Sequence, residues 1–266
     1  MKFIIENLTK EPSWLELSKA AKELGHEVQD IRGDYKRADI AHYKDEPVIL
    51  FASIEMNNLM RPQLVEQGCA DGILSTFDNY LCQKFYPHFG DVLFNDNYVM
   101  APLCEVNRRK YFFYGLFGRE ANIFIRPDSG EKTFKAGLVD LQDFDSFYSQ
   151  LEDCHNDLAI VSSPKDLIGE WRFLCNGQKE ILALSSYRYQ GLLTRVPSAP
   201  PQAHDFVKKI LDIGYFPDRV FCVDVAQAAD GEFYLMELTS CSSAGLYCMD
   251  MKKVINGIVK TLQCST

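Results

Sequence analysis

The pattern of hydrophobic and polar positions changes near residue 105. Before it, short apolar runs at residues 2–5, 47–54 and 72–75 predict strands, and stretches with helical spacing begin at Ser13 and Asn57. A glycine follows each helical stretch, as is common at helix ends. Strands that alternate with helices favour an α/β unit with a largely parallel sheet.

After residue 105, strand pairs with turn signals predominate and helices are fewer. The predicted strands lie at residues 122–126, 135–140, 169–175 and 178–185, and the predicted helices at residues 144–154, 204–213 and 251–262. This pattern is typical of antiparallel sheets backed by helices, an α+β arrangement. We therefore predict an α/β N-terminal domain over residues 1–104 and an α+β region over residues 105–266.

Two apolar runs near the C-terminus, residues 221–227 and 232–238, predict a hairpin with one carboxylate on each strand. Asp230-Gly231 between them suits a two-residue type I′ turn. With that turn, Asp224 lies directly opposite Glu237. Such like charges destabilise a sheet unless something positive lies between them, and Mg²⁺ prefers carboxylate oxygens and binds substrate phosphates. The alternative is that both carboxylates are solvated on an open sheet face.

A basic loop follows the strand predicted at residues 122–126. Arg126, Lys132 and Lys135 bring three cations to a turn that contains Ser129 and Gly130. Guanidinium and ammonium groups, together with backbone amides, can hold phosphate. The alternative is a solvated basic loop.

Glu170 and Arg172 are two residues apart and are therefore predicted on one face of a strand, while Trp171 and Phe173 point to the other face. An acidic and a basic side chain on one face can position a polar ligand. They can equally be an ordinary surface ion pair.

Composition narrows the classes of function. The 266 residues are 47% hydrophobic and 24% charged, and the net charge of −9 offers no basic footprint for general nucleic-acid binding. We found no apolar run of membrane-spanning length and no signal peptide, and the nine cysteines lack zinc-site spacing. We expect a cytoplasmic protein with reduced thiols that does not bind membranes. Neither the GxGxxG nor the P-loop motif is present.

Several of these residues, taken in order, resemble an ATP-grasp domain of the R2K clade. The resemblance spans about residues 101–247, and its strength lies in the order and spacing of the motifs together. It rests on Arg126-Pro127-Asp128, the lysine before Thr-Phe at Lys132, Gly137, Glu170-Trp171-Arg172, Tyr187 after a serine pair, and Asp224 with Glu237.

The resemblance implies ATP held between two α+β subdomains. Arg126 stands where most ATP-grasp enzymes have a strand lysine facing the phosphates, and Lys132 matches a second basic position. Lys135 fits the nucleotide-binding loop less specifically. Glu170 and Arg172 match a Glu-x-Arg strand, which implies a role near the nucleotide or the acceptor. Arg126, Lys132 and Arg172 are thereby the expected catalytic residues.

The resemblance also implies Mg²⁺ on Asp224 and Glu237. Family members usually have an asparagine two residues after the metal-binding glutamate, as a third magnesium ligand. This chain has Thr239 there. A threonine hydroxyl can coordinate Mg²⁺ directly or through water, but it matches less well than an amide oxygen.

The implied function is an ATP-dependent carboxylate–amine ligase that acts through an acylphosphate on an amino acid, peptide or other small molecule. Phosphoryl transfer requires positioning and charge neutralisation more than a protein nucleophile, which agrees with the lack of a recognisable triad. Two alternatives remain open: a nucleotide-binding module without ligase activity, and an ATP-dependent phosphotransferase.

Overall fold

The computed structural model describes residues 1–8, 11–32, 47–69 and 72–264. The strands in these ranges are β1 (Lys2–Glu6), β2 (Glu27–Ile31), β3 (Val48–Phe51), β4 (Tyr98–Pro102), β5 (Asn122–Pro127), β6 (Gly137–Asp140), β7 (Leu158–Ser162), β8 (Leu167–Asn176), β9 (Ile181–Tyr189), β10 (Leu192–Leu193), β11 (Val220–Ala228) and β12 (Phe233–Ser240). The helices are α1 (Pro12–Glu23), α2 (Ile54–Glu66), α3 (Cys82–Phe89), α4 (Leu103–Arg108), α5 (Lys110–Phe117), α6 (Phe144–Ser149), α7 (Pro201–Ile213) and α8 (Met251–Gln263).

The N-terminal part is a parallel sheet with the strand order β2-β1-β3. The α/β prediction is therefore confirmed. The strand predicted at residues 72–75 is reduced to a single bridge between Ile73 and Ile49. Two residues later the Ser75 hydroxyl lies 2.8 Å from the hydroxyl of Ser240 in β12, so the chain has left the sheet.

The rest of the described chain forms two antiparallel sheets. Four strands pair in the order β4-β7-β5-β6, and helices α4, α5 and α6 pack on this sheet. Five strands pair in the order β10-β9-β8-β11-β12. The α+β prediction is confirmed. The four-stranded sheet includes β4, which precedes residue 105. The domain division near residue 105 stays a prediction.

The five-stranded sheet is the centre of the molecule. One face carries Trp171 and Phe173 and packs on α3 and α7. The opposite face is apolar at one end, where Leu174 and Cys222 pack with α1, α8 and strands β1 and β3 in one continuous core. At its other end this face carries the polar side chains of Glu170, Arg172 and Asp224, and no described helix contributes a residue to the cavity beside them. The fold thereby leaves one polar region beside the four-stranded sheet.

Helix α7 begins at Pro201, three residues before the predicted start. Proline at the first helical position is well tolerated, because its missing N–H would have no partner there. Across the described ranges, no helix combines the length and the apolar character needed to cross a bilayer. The cytoplasmic location stays a prediction.

Candidate active site

The polar region lies in a cleft between the four-stranded and the five-stranded sheets. Strand β5 contributes from one side, and strands β8, β11 and β12 contribute from the other. The cleft holds a cavity of about 210 Å³ that is lined by Lys132, Glu170, Trp171, Arg172, Tyr187, Asp224, Met236, Glu237 and Tyr247.

Asp224 lies directly opposite Glu237 in the β11–β12 pair, as the sequence predicts. The predicted type I′ turn is wrong, however. Ala228 and Glu232 pair across a three-residue loop in which Gly231 alone has positive φ, +89°. A bulge at Met236 then restores the register, since Asp224 pairs with Glu237 and Val225 pairs with Leu235. If the three-residue loop were kept and β12 had no bulge, Glu237 would turn toward the apolar core, because a one-residue slip exchanges the two faces of a strand.

Glu237 joins the two sheets through ion pairs. Its Oε1 atom accepts a hydrogen bond from Nη2 of Arg126 in β5 at 2.9 Å, and its Oε2 atom lies 3.7 Å from Nζ of Lys132. Burial by itself raises the pKa of Glu237. The positive charges of Lys132, Arg126 and Arg172 outweigh burial and lower the pKa to about 2. Glu237 is therefore ionised throughout the physiological pH range.

Asp224 is held by Arg172 from the neighbouring strand β8. The Nε and Nη2 atoms of Arg172 donate to the two carboxylate oxygens at 2.8 and 2.6 Å, which is the bidentate geometry that fixes both side chains. A third hydrogen bond runs from Nη1 of Arg172 to the carbonyl oxygen of Gly245 at 3.0 Å. Arg172 therefore pairs with Asp224 and not with its neighbour Glu170, which was the alternative that the sequence left open.

Glu170 lines the cavity without a hydrogen bond or ion pair to any residue that the structure describes. Burial is the main cause that raises its pKa to about 6, and the nearby charge of Asp224 adds to the effect. The guanidinium groups of Arg188 and Arg172 act in the opposite direction. Its carboxyl group therefore titrates just below neutral pH.

The donor set at the carboxylate pair fits Mg²⁺. Thr239 is 8% exposed, and its Oγ1 atom is buried with no hydrogen-bond partner in the described ranges. Thr239 lies two residues after Glu237 on the same face of β12, so an unsatisfied oxygen and two opposed carboxylates occupy one region. No cluster of three or more His, Cys, Asp and Glu side chains suited to a metal occurs in these ranges. Mg²⁺ commonly completes its coordination with waters and phosphate oxygens.

The basic loop between β5 and β6 is only partly placed at the site. Lys132 lines the cavity, whereas Lys135 is exposed and makes no ion pair with any described residue. The loop folds on itself, because the amides of Glu131 and Lys132 donate to the hydroxyl and the carbonyl oxygen of Ser129. These two amides therefore do not form the predicted phosphate-binding surface in this conformation.

A family comparison agrees with this geometry. The model of the ATP-grasp domain, R2K clade family 2, matches residues 108–256, which is more than half of the chain. The chain belongs to this ATP-grasp family. No curated protein sequence matches it.

Solved structures show the same fold over nearly the whole chain. D-alanine–D-alanine ligase from Bacillus anthracis is 14% identical, with a TM-score of 0.66 over 99% of this chain and 97% of that one. D-cycloserine synthetase DcsG is 11% identical, with a TM-score of 0.65 over 98% and 99%. The ATP-grasp ligase PsnB, complexed with a minimal precursor, is 11% identical, with a TM-score of 0.62 over 97% and 98%. At these identities the likeness establishes the ATP-grasp fold.

Sequence reasoning missed part of the cavity wall of this ATP-grasp protein. Tyr247 and Met236 line the cavity, but neither was predicted as a site residue. Met236 is the bulged residue of β12, and Tyr247 has a left-handed backbone with φ of +51°. Both features are irregularities of the backbone that a hydrophobic pattern does not reveal. Tyr187 was part of the resemblance, yet it had no predicted role.

Proposed function

We propose that this protein is an ATP-dependent ligase that joins a carboxylate to an amine. The observation that supports it most is the pair Asp224 and Glu237, opposed on the sheet face where Arg126, Lys132 and Arg172 converge. Two anions and three cations in a half-buried cleft suit a phosphate-bearing substrate with a divalent ion. Membership of the ATP-grasp family and the fold shared with ligases support the same reaction class.

In this proposal, Asp224, Glu237 and the Thr239 hydroxyl hold Mg²⁺, which neutralises phosphate charge when bound. Arg126 and Lys132 already lie at Glu237, so both are placed to contact phosphate oxygens beside the ion. Arg172 fixes the orientation of Asp224. The role of these residues is positioning and charge stabilisation, which phosphoryl transfer requires most.

The proposed chemistry has two steps. A carboxylate oxygen of the substrate attacks the γ-phosphorus of ATP, ADP leaves, and an acylphosphate forms. The nitrogen of an amine then attacks the acyl carbon, inorganic phosphate leaves with the C–O bond electrons, and the amine loses a proton. In this proposal, partial burial of the cleft limits the access of water, which would otherwise hydrolyse the acylphosphate.

The first test is Mg²⁺-dependent release of ADP from ATP with a pool of amino acids and small carboxylic acids. We expect Glu237→Gln to lower this rate by about 100-fold or more, because a metal ligand is lost while the side-chain shape is kept. Glu232→Gln is the matched control, because Glu232 is an exposed glutamate at the far end of the same hairpin. The control should react like the wild type.

Other outcomes separate the alternatives. Equal rates for Glu237→Gln and wild type would contradict the metal assignment. Tight MgADP binding without turnover on any pool would favour a nucleotide-binding module. A phosphorylated product without a new amide bond would identify a phosphotransferase, and AMP in place of ADP would exclude the acylphosphate route.

A further inference from the structure

Beside the carboxylate pair, two aromatic rings form a second wall of the cavity, and guanidinium groups pack against these rings. Tyr187 and Tyr247 both line the cavity, and their rings stack with centroids 4.8 Å apart and planes 19° from parallel. The Cζ atom of Arg195 lies 5.0 Å from the centroid of Tyr247 and 5.8 Å from that of Tyr187. We call these three residues the tyrosine–arginine patch.

Arg195 differs from Arg126 and Arg172 in having no counter-ion among the residues that the structure describes. Arg126 pairs with Glu237, and Arg172 pairs with Asp224. Arg195 is exposed and forms neither a hydrogen bond nor an ion pair with any residue in the described part of the chain. The rings hold its guanidinium group in place through cation–π contacts, while its N–H donors remain available.

Two departures from regular backbone geometry build the patch. The β8–β9 register shifts so that Arg188 pairs with Glu170 and Ser186 pairs with Trp171, which leaves Tyr187 as a bulge. Bulges re-aim side chains and occur often next to active sites. Tyr247 lies in the left-handed region, which is unfavourable for a residue other than glycine and persists only where the surroundings impose it.

The segment before Tyr247 is also closely packed. A Cβ atom at Gly245 would lie 2.7 Å from Oε2 of Glu11 and 3.3 Å from Cε1 of Tyr247. A larger residue at Gly245 would therefore displace the ring. The same glycine accepts the hydrogen bond of Arg172, so one short segment aligns both the ring and the guanidinium group that holds Asp224.

Positive charge predominates around the two rings. The Cζ atom of Arg172 lies 4.9 Å from the Tyr247 centroid, and that of Arg188 lies 5.9 Å from the Tyr187 centroid. The Nε atom of Arg188 is buried and has no hydrogen-bond partner among the described residues. Glu170, across the strand pair from Arg188, supplies a nearby negative charge. A chain with net charge −9 thus concentrates arginines at this wall.

We propose that the tyrosine–arginine patch binds a second anionic group of the substrate, a carboxylate distinct from the one that reacts. The inference rests on the proposed ligase function and specifies its substrate class. A guanidinium group that lacks a counter-ion and presents its planar fork beside aromatic rings is suited to bind a carboxylate. The substrate is thus a compound with two acidic groups, such as an acidic amino acid or a short acidic peptide.

The size of the substrate follows from the distances. The guanidinium carbons of Arg172 and Arg195 each lie within 5.0 Å of the Tyr247 centroid, so they are less than about 10 Å apart. Arg172 contacts Asp224 directly. An extended residue spans about 3.5 Å, so one to three residues bridge from the proposed reaction centre to Arg195.

The test is a calorimetric titration with α,ω-dicarboxylates from malonate to suberate, each compared with its own monoamide, with and without MgADP. For the wild type we expect at least one diacid to bind about tenfold or more tightly than its monoamide, since a charge-assisted hydrogen bond is at stake. Arg195→Gln should abolish this preference. Arg195→Lys, which keeps the charge and loses the planar fork, should retain part of it.

Arg109→Gln is the matched control. Arg109 also lies over an aromatic ring, 4.7 Å from the centroid of Phe112, but on the four-stranded-sheet side away from the cavity. This variant should show the wild-type preference. The proposal is overturned if no diacid is preferred by the wild type, or if Arg195→Gln keeps the preference. If a phosphonocarboxylate binds more tightly than every diacid and depends on Arg195, the carboxylate assignment is overturned in favour of phosphate.

Failure of this proposal is distinguishable from failure of the proposed function. If MgADP binds while the diacid preference is absent, the patch assignment alone is wrong. If MgADP does not bind, the ligase function is wrong, and the preference is still measured in the samples without nucleotide. Arg195→Gln should leave the Kd of MgADP unchanged, because Arg195 contacts neither Asp224 nor Glu237.

Discussion

The pKa values of individual carboxyl groups in the cleft differ because the charged groups beside them differ. Glu237 and Glu170 line one cavity and are both partly buried. Glu237 has guanidinium and ammonium partners, and its pKa falls to about 2. Glu170 has none at hydrogen-bond distance, and burial raises its pKa to about 6. The same residue type thus serves as a permanent anion in one place and as a group titrating near pH 6 in another.

This difference predicts how stability depends on pH. The raised pKa of Glu170 means that the folded protein favours the protonated form, so ionisation lowers the free energy of unfolding as pH rises from about 4.5 through 6. Glu170→Gln removes that effect. It should raise the free energy of unfolding by about 1 to 2 kcal/mol at pH 7.5 and leave it nearly unchanged at pH 4.5.

Chemical denaturation of Glu170→Gln and wild type at both pH values measures the effect. An equal difference at pH 4.5 and pH 7.5 would show that the carboxyl group does not titrate in the cleft as described. Because both proteins share every other titratable group, the comparison isolates Glu170.

At the scale of elements, the β11–β12 hairpin combines an unexpected loop with a compensating bulge. The loop contains three residues, and the extra residue Met236 returns Glu237 to the face of Asp224. A bulge also bends its strand and increases the local twist. It therefore sets the direction in which Glu237 meets Arg126 of the other sheet.

Deletion of Met236 tests the bulge. We expect the shortened hairpin to keep Asp224 opposite Glu237 and to change the free energy of unfolding by only about 1 kcal/mol, while the straightened strand loses most of the Mg²⁺-dependent ADP release. Activity and denaturation assays on one preparation measure both quantities.

Deletion of Ala229 is the matched control for the bulge. It leaves Asp230-Gly231 as a two-residue loop between the paired residues Ala228 and Glu232, so both fold and activity should be retained. Full activity after deletion of Met236 would show that the bulge has no functional role.

At the scale of the whole molecule, the cleft separates two sheets that are connected by the ion pairs of Glu237 with Arg126 and Lys132. Arg126 belongs to the four-stranded sheet and Glu237 to the five-stranded sheet. If MgADP binds between the sheets, it stabilises both walls together. We expect MgADP to slow amide hydrogen exchange in residues 128–136 and in β12, and to leave β1 to β3 nearly unchanged.

Hydrogen exchange followed by mass spectrometry checks this expectation. Glu237→Gln should reduce the protection of both segments at equal MgADP concentration. Protection confined to helices α7 and α8, with none in β12, would place the nucleotide elsewhere.

The sequence allowed prediction of the parts that depend on local pattern. Alternation along β8 placed Glu170 and Arg172 on one face, and the predicted hairpin placed Asp224 opposite Glu237. The contact between Arg126 and Glu237 was not predicted, because it joins residues 111 positions apart in different sheets. Such a contact is set by tertiary packing, which periodicity does not encode.

The same limit applies to the tyrosine–arginine patch. A strand bulge aims the ring of Tyr187, and a left-handed backbone aims the ring of Tyr247. The pattern of apolar and polar residues is the same with or without these irregularities. Arg195 lies in an exposed segment, where a lone arginine carries no signal.

The core that α1 and α8 share with the five-stranded sheet determines which fragments of the chain can fold. Trp14 and Leu17 of α1 pack in one cluster with Ile255 and Ile258 of α8. The stretch that matches the ATP-grasp family ends at residue 256, inside α8, and lacks α1 altogether. Expressed alone, that stretch would expose this cluster to water. The minimal unit for expression therefore includes both terminal helices, and any tag or fusion partner belongs outside them.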